Sequence, residues 1–199
     1  MGVSHSPITT RRSLLIMSDT NQQYDEAVKA SQDIFLKKTK DYGTSWRVLR
    51  PVSIVDQIYI KAQRVRTIQE KKTQRIGDDI ASEFKGMLNY AVIGLIQLEL
   101  KNSAVEDLPV AEVERLYSEK IAFAKNTMLD KNHDYGEAWR DMSQESFADL
   151  ILMKLMRMRQ ILANDGKTII SEGIDANYVD IINYAVFALI LIDEGKHKA

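Results

Sequence analysis

The sequence predicts an all-α fold in which two three-helix units, related by a pseudo-twofold axis, pack as one helical bundle. Three observations support this prediction. Glycine and proline are scarce, with nine and three copies among 199 residues, which favours helices over a fold with many turns. Apolar residues recur at helical spacing in each predicted segment. The chain also matches itself when it is shifted by 93 residues.

The self-match includes chemically distinctive residues and places both tryptophans of the chain in matched positions. The matched segments are Asp41–Gly43 with Asp134–Gly136, Trp46 with Trp139, Lys61 with Lys154 and, after one extra residue, Asn89–Ala91 with Asn183–Ala185. A match this dense at a nearly constant offset indicates a duplicated unit. We therefore divide the chain into a leader over residues 1–19, a first repeat over 20–103 and a second repeat over 104–199.

The first helix of each repeat has start and stop signals. A capping box, Thr20-x-x-Gln23, predicts the start in the first repeat. Asp107 and Pro109 predict the start in the second repeat, because proline is tolerated in a first helical turn. Gly43 and Gly136 predict the ends, since glycine readily adopts the left-handed conformation that closes a helix.

Four further helices follow from apolar periodicity, and two of them open with Ser-x-x-Asp start signals. They are predicted over residues 53–72, 79–100, 146–163 and 174–194. Gly195 stops the last of them. From Tyr178 to Ile192 this helix is apolar on every side except at Asp180 and Asn183, which predicts a buried helix with two polar side chains that need partners.

Residues 1–16 show no amphipathic period and are predicted to form a disordered leader, with Met17 as an alternative start. The segment Met1-Gly2 with Ser6 also fits the short N-myristoylation pattern, which matches by chance often. Because the leader lacks a core-forming pattern, deleting residues 1–17 is expected to leave the melting temperature unchanged within error. A loss of several degrees in a thermal melt would show instead that the leader packs against the domain.

Composition excludes several function classes. Cysteine is absent, which excludes disulfides, thiolate zinc sites and a cysteine nucleophile. The three histidines lie far apart in the sequence, which argues against a histidine-rich metal site. There are 27 basic and 28 acidic residues, so a strongly basic nucleic-acid footprint is absent. No charge-free apolar stretch reaches the roughly 18 residues that span a membrane, and we expect a cytoplasmic protein.

A lysine interrupts the core-facing stripe of the second helix in both repeats. These residues are Lys61 and Lys154, and each is followed three positions later by an arginine, Arg64 or Arg157. Burying an unpaired ammonium costs several kcal/mol, so an acid or an anionic ligand is expected nearby, and Asp180 is the preferred acid for one lysine. The alternatives are a structural salt bridge and a lysine whose head reaches water along its own stem.

Carboxylates cluster where the third helices begin. They are Asp79 and Glu83 in the first repeat and Glu172 and Asp175 in the second. Clustered carboxylates without histidine or cysteine suit Mg²⁺ or Mn²⁺, so a magnesium site is one interpretation. The alternative is that these acids complement the helix dipole at the amino-terminal end.

Taken together, the pattern Lys…Asp-Tyr-Gly…Trp, then Lys-x-x-Arg, then acids and Asn-Tyr-Ala, resembles the family called nucleotide modification associated domain 1, a small helical domain of bacteria and their phages. The resemblance covers about residues 33–192 in two copies. It implies a ligand-binding role for the positions that carry the motif: Lys38, Asp41, Tyr42, Lys61, Arg64, Asn89, Lys131, Asp134, Tyr135, Lys154, Arg157, Asp180 and Asn183. Gly86 departs from its counterpart Asp180, which predicts a weaker site in the first copy.

Two classes of function remain. In the first, the protein binds or processes a nucleotide, with lysine and arginine on phosphates, tyrosine on a base and carboxylates on Mg²⁺. Its sharpest version is similar to the all-α NTP pyrophosphatases, although the Glu-x-x-Glu motif of those enzymes is missing here. In the second, the chain is a non-catalytic helical module, and a homodimer is among the alternatives. An open cleft that gathers the lysines and acids favours the first class, and closed ion pairs favour the second.

Overall fold

The computed structural model describes residues 7–101, 103–168 and 172–199, with side chains from Thr20 onward. Its regular elements are helices throughout these ranges, which confirms the predicted fold class. The six α-helices are α1 (Pro7–Tyr42), α2 (Pro51–Lys71), α3 (Ile80–Glu99), α4 (Val110–Tyr135), α5 (Gln144–Ala163) and α6 (Ile174–Asp193). Short 3₁₀ turns at Ser45–Val48 and Ala138–Asp141 follow α1 and α4.

The helices pack with pseudo-twofold symmetry. The third helices of the two copies, α3 and α6, pack against each other at the centre, and α2 packs against α5 in the same way. Each first helix contacts both central helices, so that α1 lies on α3 and α6 while α4 lies on α6 and α3. The two copies therefore share one core, as the duplication predicts, and neither copy encloses a core of its own.

Two reciprocal hydrogen-bonded junctions join the copies inside this core. Asn89 on α3 accepts a hydrogen bond from the Tyr117 hydroxyl at 2.8 Å and donates to the backbone carbonyl of Ser31 at 3.0 Å. The same geometry recurs around Asn183 on α6, with the Tyr24 hydroxyl at 2.8 Å and the carbonyl of Ala124 at 3.1 Å. Burial raises the pKa of both phenols, so that both stay protonated and donate.

A second reciprocal pair lies on the surface between α2 and α5. Arg159 reaches Asp56 at 2.7 Å, and its symmetric counterpart Arg66 approaches Asp149 at 3.7 Å. Pairs this exposed contribute roughly 0–1 kcal/mol each. These two ion pairs reflect the pseudo-twofold symmetry and contribute little to the stability of the bundle.

The central helix α6 is buried by α3. Gly94 on α3 faces the ring of Tyr178 on α6, and a Cβ atom built on this glycine would lie 2.3–2.6 Å from three ring atoms. By length and composition α6 is apolar enough to cross a membrane, with a mean hydropathy of 1.4. However, 78% of its apolar window is buried in the bundle, so packing within the protein accounts for its composition.

The helix ends confirm the glycine signals, since Gly43 and Gly136 take positive φ at the ends of α1 and α4 as predicted, and Asp79 caps α3. Three predicted start signals are wrong. Two of them, at Ser53 and Ser146, lie inside helices that begin earlier, at Pro51 and at Gln144. The capping box at Thr20 does not start a helix, because α1 already begins at Pro7. Thr20 lies inside α1, where its hydroxyl is buried and donates to Glu137 at 2.6 Å.

The predicted leader is described only in part. Residues 1–6 lie outside the described residues, and residues 7–19 are described as helical backbone. The effect of deleting residues 1–17 on the melting temperature stays a prediction.

Candidate functional site

The second copy contains a closed cluster of charges. The Lys154 ammonium lies 2.5 Å from Oδ2 of Asp180, and both side chains are only 8% exposed. The other carboxylate oxygen, Oδ1, accepts a hydrogen bond from Lys131 at 2.7 Å. Burial by itself would lower the pKa of Lys131, but its hydrogen bond to Asp180 and the carboxylate charge outweigh burial and raise it. Asp180 is the acid that the sequence predicts as the partner of a stripe lysine, and the pair with Lys154 confirms this prediction.

The first copy uses a different acid at a different position. Lys61 lies 3.3 Å from Glu83, which is 7% exposed and also pairs with Arg64. Glu83 precedes Gly86, the counterpart of Asp180, by three residues, so the acid has moved by about one helical turn. A Cβ atom on Gly86 would lie 2.7 Å from the Lys61 stem, which crosses the helix at this glycine. Glycine therefore makes room for Lys61 to reach the earlier acid.

The arginines that follow the two stripe lysines also differ between the copies. Arg64 is anchored, because besides Glu83 it donates to the backbone carbonyl of Asp78 at 2.7 Å. This contact ties the segment between α2 and α3 to the charge pair. Arg157 is exposed and makes no ion pair or hydrogen bond within the described ranges.

A cleft of about 620 Å³ opens in the first copy between α1, α2 and α3. Its size suits a small-molecule ligand. Lys38, Lys61 and Lys85 bring positive charge to it, and the rings of Tyr42 and Tyr90 also line it. Its other polar lining includes Gln57, Asp78, Ser82, Glu83 and Asn89.

Lys38 is an uncommitted cation of this cleft. Its side chain is exposed and makes no hydrogen bond or ion pair with any of the residues described. Its counterpart Lys131 is held by Asp180, as described above. The equivalent lysines of the two copies therefore differ: one is neutralised by an internal acid, and the other is available to an anion.

The two tryptophans also differ in how their indole N–H groups are satisfied. Trp139 donates to Oδ1 of Asn132 at 3.2 Å and stacks on Phe187 with ring centroids 4.2 Å apart. Trp46 is 7% exposed and lines the cleft, yet its buried Nε1 atom has no hydrogen-bond partner in the described structure. Buried N–H groups are seldom left unpaired.

Sequence comparison places the chain among known proteins through both of its copies. The profile of the family nucleotide modification associated domain 1 matches residues 38–98 and again residues 131–192, more than half of the chain. The chain belongs to this family. Each match spans one copy from the lysine of the first helix to the third helix, which confirms the two tandem copies. Comparisons with curated proteins and with solved structures find no significant match.

Two of the four carboxylates proposed as metal ligands make other contacts. Asp79 caps α3 by accepting from the Ser82 N–H at 2.7 Å, and these hydrogen bonds lower its pKa. Glu83 is committed to two cations, and Glu172 and Asp175 are exposed at the start of α6. Over residues 7–101, 103–168 and 172–199, no group of three or more histidine, aspartate or glutamate side chains is arranged to hold a metal ion.

The Asp-Tyr-Gly segments close the first helices of the two copies, with the aspartate and tyrosine in the last turn of α1 or α4. Asp41 and Asp134 are exposed, and Asp134 lies 3.1 Å from its neighbour His133. Tyr42 is 57% exposed and lines the cleft, whereas Tyr135 is 74% exposed. Of these aspartates and tyrosines, Tyr42 lines the cleft, together with the adjacent Gly43.

The other predicted site residues divide between the cleft and the core. The amides of Asn89 and Asn183 are both occupied by the reciprocal junctions between the copies, so internal hydrogen bonds already account for them. The cleft also gathers residues that were not among the predicted ligand-binding positions, chiefly Lys85, Tyr90 and Trp46. The signal that could have indicated Trp46 is a difference between the copies, since Thr39 stands where the second copy has Asn132.

Proposed function

We propose that the protein binds a nucleotide in the cleft of its first copy, with Lys38 on a phosphate group. The observation that carries the proposal is the availability of Lys38 in a cleft whose equivalent lysine, Lys131, is neutralised by Asp180. A lysine ammonium binds phosphate as a strong point charge, and the charge-assisted hydrogen bond is worth more than a neutral one. The family description, nucleotide modification associated, supports the same class of ligand.

Charge and rings in the cleft support a nucleotide over a simple anion. Lys85 adds a second cation, while the positive charge of Lys61 is partly balanced by Glu83. Tyr42 and Tyr90 offer aromatic faces, and stacking of a base on such a face contributes about 1–3 kcal/mol in other nucleic-acid-binding proteins. Inorganic phosphate would use only the cations.

This proposal reverses the expected ranking of the two copies. Gly86 in place of the second copy's Asp180 was expected to weaken the first site. In the structure, Asp180 neutralises Lys131 and Lys154 together, whereas Gly86 leaves Lys61 with Glu83 and leaves Lys38 unpaired. The second copy accordingly serves as a structural counterpart of a binding copy.

The proposal is one of binding, and hydrolysis is not part of it. A Mg²⁺-dependent reaction similar to that of the all-α NTP pyrophosphatases would require several carboxylates around the metal. In the described part of the chain the candidate acids cap a helix, pair with cations or lie apart. Magnesium therefore enters the test as an added component, bound with the phosphates of the nucleotide.

A thermal-shift and calorimetric screen against nucleoside mono-, di- and triphosphates, with and without Mg²⁺, tests the proposal. A ligand that binds only the native state raises the melting temperature by mass action. Lys38→Ala is expected to weaken binding about 10- to 100-fold, because it removes a charge-assisted contact to phosphate. The matched variant Lys131→Ala, at the equivalent position of the second copy, is expected to retain the affinity of the natural protein.

The same screen can contradict the proposal in two ways. If no nucleotide shifts the melting temperature or gives binding heat, the non-catalytic module with purely internal ion pairs is the better description. If Lys131→Ala weakens binding as much as Lys38→Ala, the ligand does not distinguish the two copies. Either result would remove Lys38 as the basis of the site.

A further inference from the structure

The unpaired indole of Trp46 indicates where in the cleft the base lies. In the second copy Trp139 donates to Asn132, and Thr39 occupies the equivalent position in the first copy. Thr39 is shorter, and its hydroxyl donates instead to the backbone carbonyl of Phe35 at 3.0 Å. Thr39 and Trp46 both line the cleft. The buried Nε1 atom of Trp46 therefore lacks the acceptor that the Asn132 side chain supplies in the second copy.

The surroundings of this N–H suit an uncharged acceptor. Phe35 packs on Trp46 with ring centroids 6.4 Å apart, and Leu49 and Ile93 line the cleft as well. An apolar wall disfavours a phosphate, because a charge loses its hydration there without a counterion. A nucleobase brings a flat apolar face together with neutral oxygen or nitrogen acceptors at its edge. Lys38, by contrast, is exposed to solvent, where a phosphate keeps part of its hydration.

We propose that the base of the bound nucleotide enters the inner part of the cleft and accepts a hydrogen bond from Nε1 of Trp46, while its phosphate remains near Lys38. This inference rests on the proposed function and adds the orientation of the ligand and the group that recognises its base. The site accordingly prefers a nucleotide over a sugar phosphate that carries the same anionic group.

The chain contains two tryptophans, so its ¹H–¹⁵N spectrum contains two indole signals, which a Trp139→Phe variant assigns. The probes are the 5′-monophosphates of adenosine, guanosine, cytidine and uridine, with ribose 5-phosphate as the control that lacks a base. At least one nucleotide is expected to move the Trp46 indole signal, and ribose 5-phosphate is expected to leave it in place. The proposal is overturned if a nucleotide binds without moving this signal, or if ribose 5-phosphate moves it equally.

A pair of matched variants gives an independent readout. Trp46→Phe removes an unpaired N–H and is expected to weaken nucleotide binding about 3- to 10-fold, with a smaller loss of melting temperature than Trp139→Phe. Trp139→Phe removes a paired N–H and is expected to lower the melting temperature while leaving the affinity unchanged. Equal affinities for Trp46→Phe and the natural protein would overturn the proposal.

Nucleotide binding and the orientation of the base are tested separately by these measurements. If the natural protein binds no nucleotide, the proposed function itself is wrong. If it binds a nucleotide and Lys38→Ala weakens binding, but neither the Trp46 signal nor the Trp46→Phe affinity changes, only the orientation of the base is wrong.

Discussion

Lys154→Met is expected to lower the free energy of unfolding by about 2–4 kcal/mol, because it leaves one oxygen of the buried Asp180 carboxylate without its cation. Methionine retains the volume of the lysine stem, so the loss reports the charge and not a cavity. Lys131 keeps its contact to the other carboxylate oxygen, which places the expected loss below that of a fully orphaned buried acid. Denaturant unfolding followed by circular dichroism measures the difference.

The equivalent substitution in the first copy is the matched control. Lys61→Met is expected to cost about 1 kcal/mol or less, because Glu83 keeps Arg64 and the lysine is 27% exposed. A second variant isolates the cause: Asp180→Leu added to Lys154→Met is expected to recover most of the stability, since apolar side chains often replace a buried ion pair without loss. Equal losses for the two lysine variants would contradict the assignment of Lys154 to a structural pair.

Gly94→Ala is expected to lower the free energy of unfolding by about 2–3 kcal/mol, although alanine favours a helix interior by about 1 kcal/mol. The added methyl group would lie 2.3–2.6 Å from the Tyr178 ring, far inside van der Waals contact. Tyr178 is 1% exposed at the junction of α3 and α6, so its ring cannot move aside without displacing a central helix.

Gly86 provides a control in the same helix. A methyl group there would lie 2.7–3.0 Å from atoms of the partly exposed Lys61 side chain, which can shift toward solvent. Gly86→Ala is therefore expected to change stability by about 0.5 kcal/mol or less, because the helix-propensity gain offsets the lost contact. Similar losses for Gly86→Ala and Gly94→Ala would show that the close packing of Tyr178 is not the cause. Tyr178→Leu is expected to relieve part of the Gly94→Ala loss in a double mutant.

The architecture was predictable because helical periodicity and duplication are properties of the sequence alone. Asp180 and Asn183 are polar residues on an apolar helix, so both needed hydrogen-bond partners. Lys154 could be predicted as the partner of Asp180, because it too is a charged residue on the core-facing side of its helix. The tyrosine partners of Asn89 and Asn183 could not be predicted, because they belong to the opposite copy and depend on the rotation of each helix. The predicted start of α1 was wrong for a related reason. Thr20 has a capping pattern, but its hydroxyl donates a hydrogen bond to Glu137 across the bundle.

The candidate site was predictable as a set of residue types and not as an arrangement. Nothing in the sequence favoured the motif residues of one copy over those of the other, except that Gly86 indicated a weaker site in the first copy. Which lysine is free depends on where an acid lies along a helix: Glu83 and Asp180 differ by about one turn in equivalent helices, and this shift leaves Lys38 without an acid. The role of Trp46 depends on what faces its N–H, which only the packing of α1 against the 3₁₀ turn decides.

The reciprocal junctions around Asn89 and Asn183 have a consequence for the order of events during synthesis. When the first copy has emerged from the ribosome and the second has not, α6 does not yet cover the apolar face of α3 and Tyr117 does not yet donate its hydrogen bond to Asn89. A half-finished chain thus exposes the surfaces that chaperones and proteases recognise. Native structure must wait until α6 has emerged, so we expect a chain truncated after the first copy to be degraded.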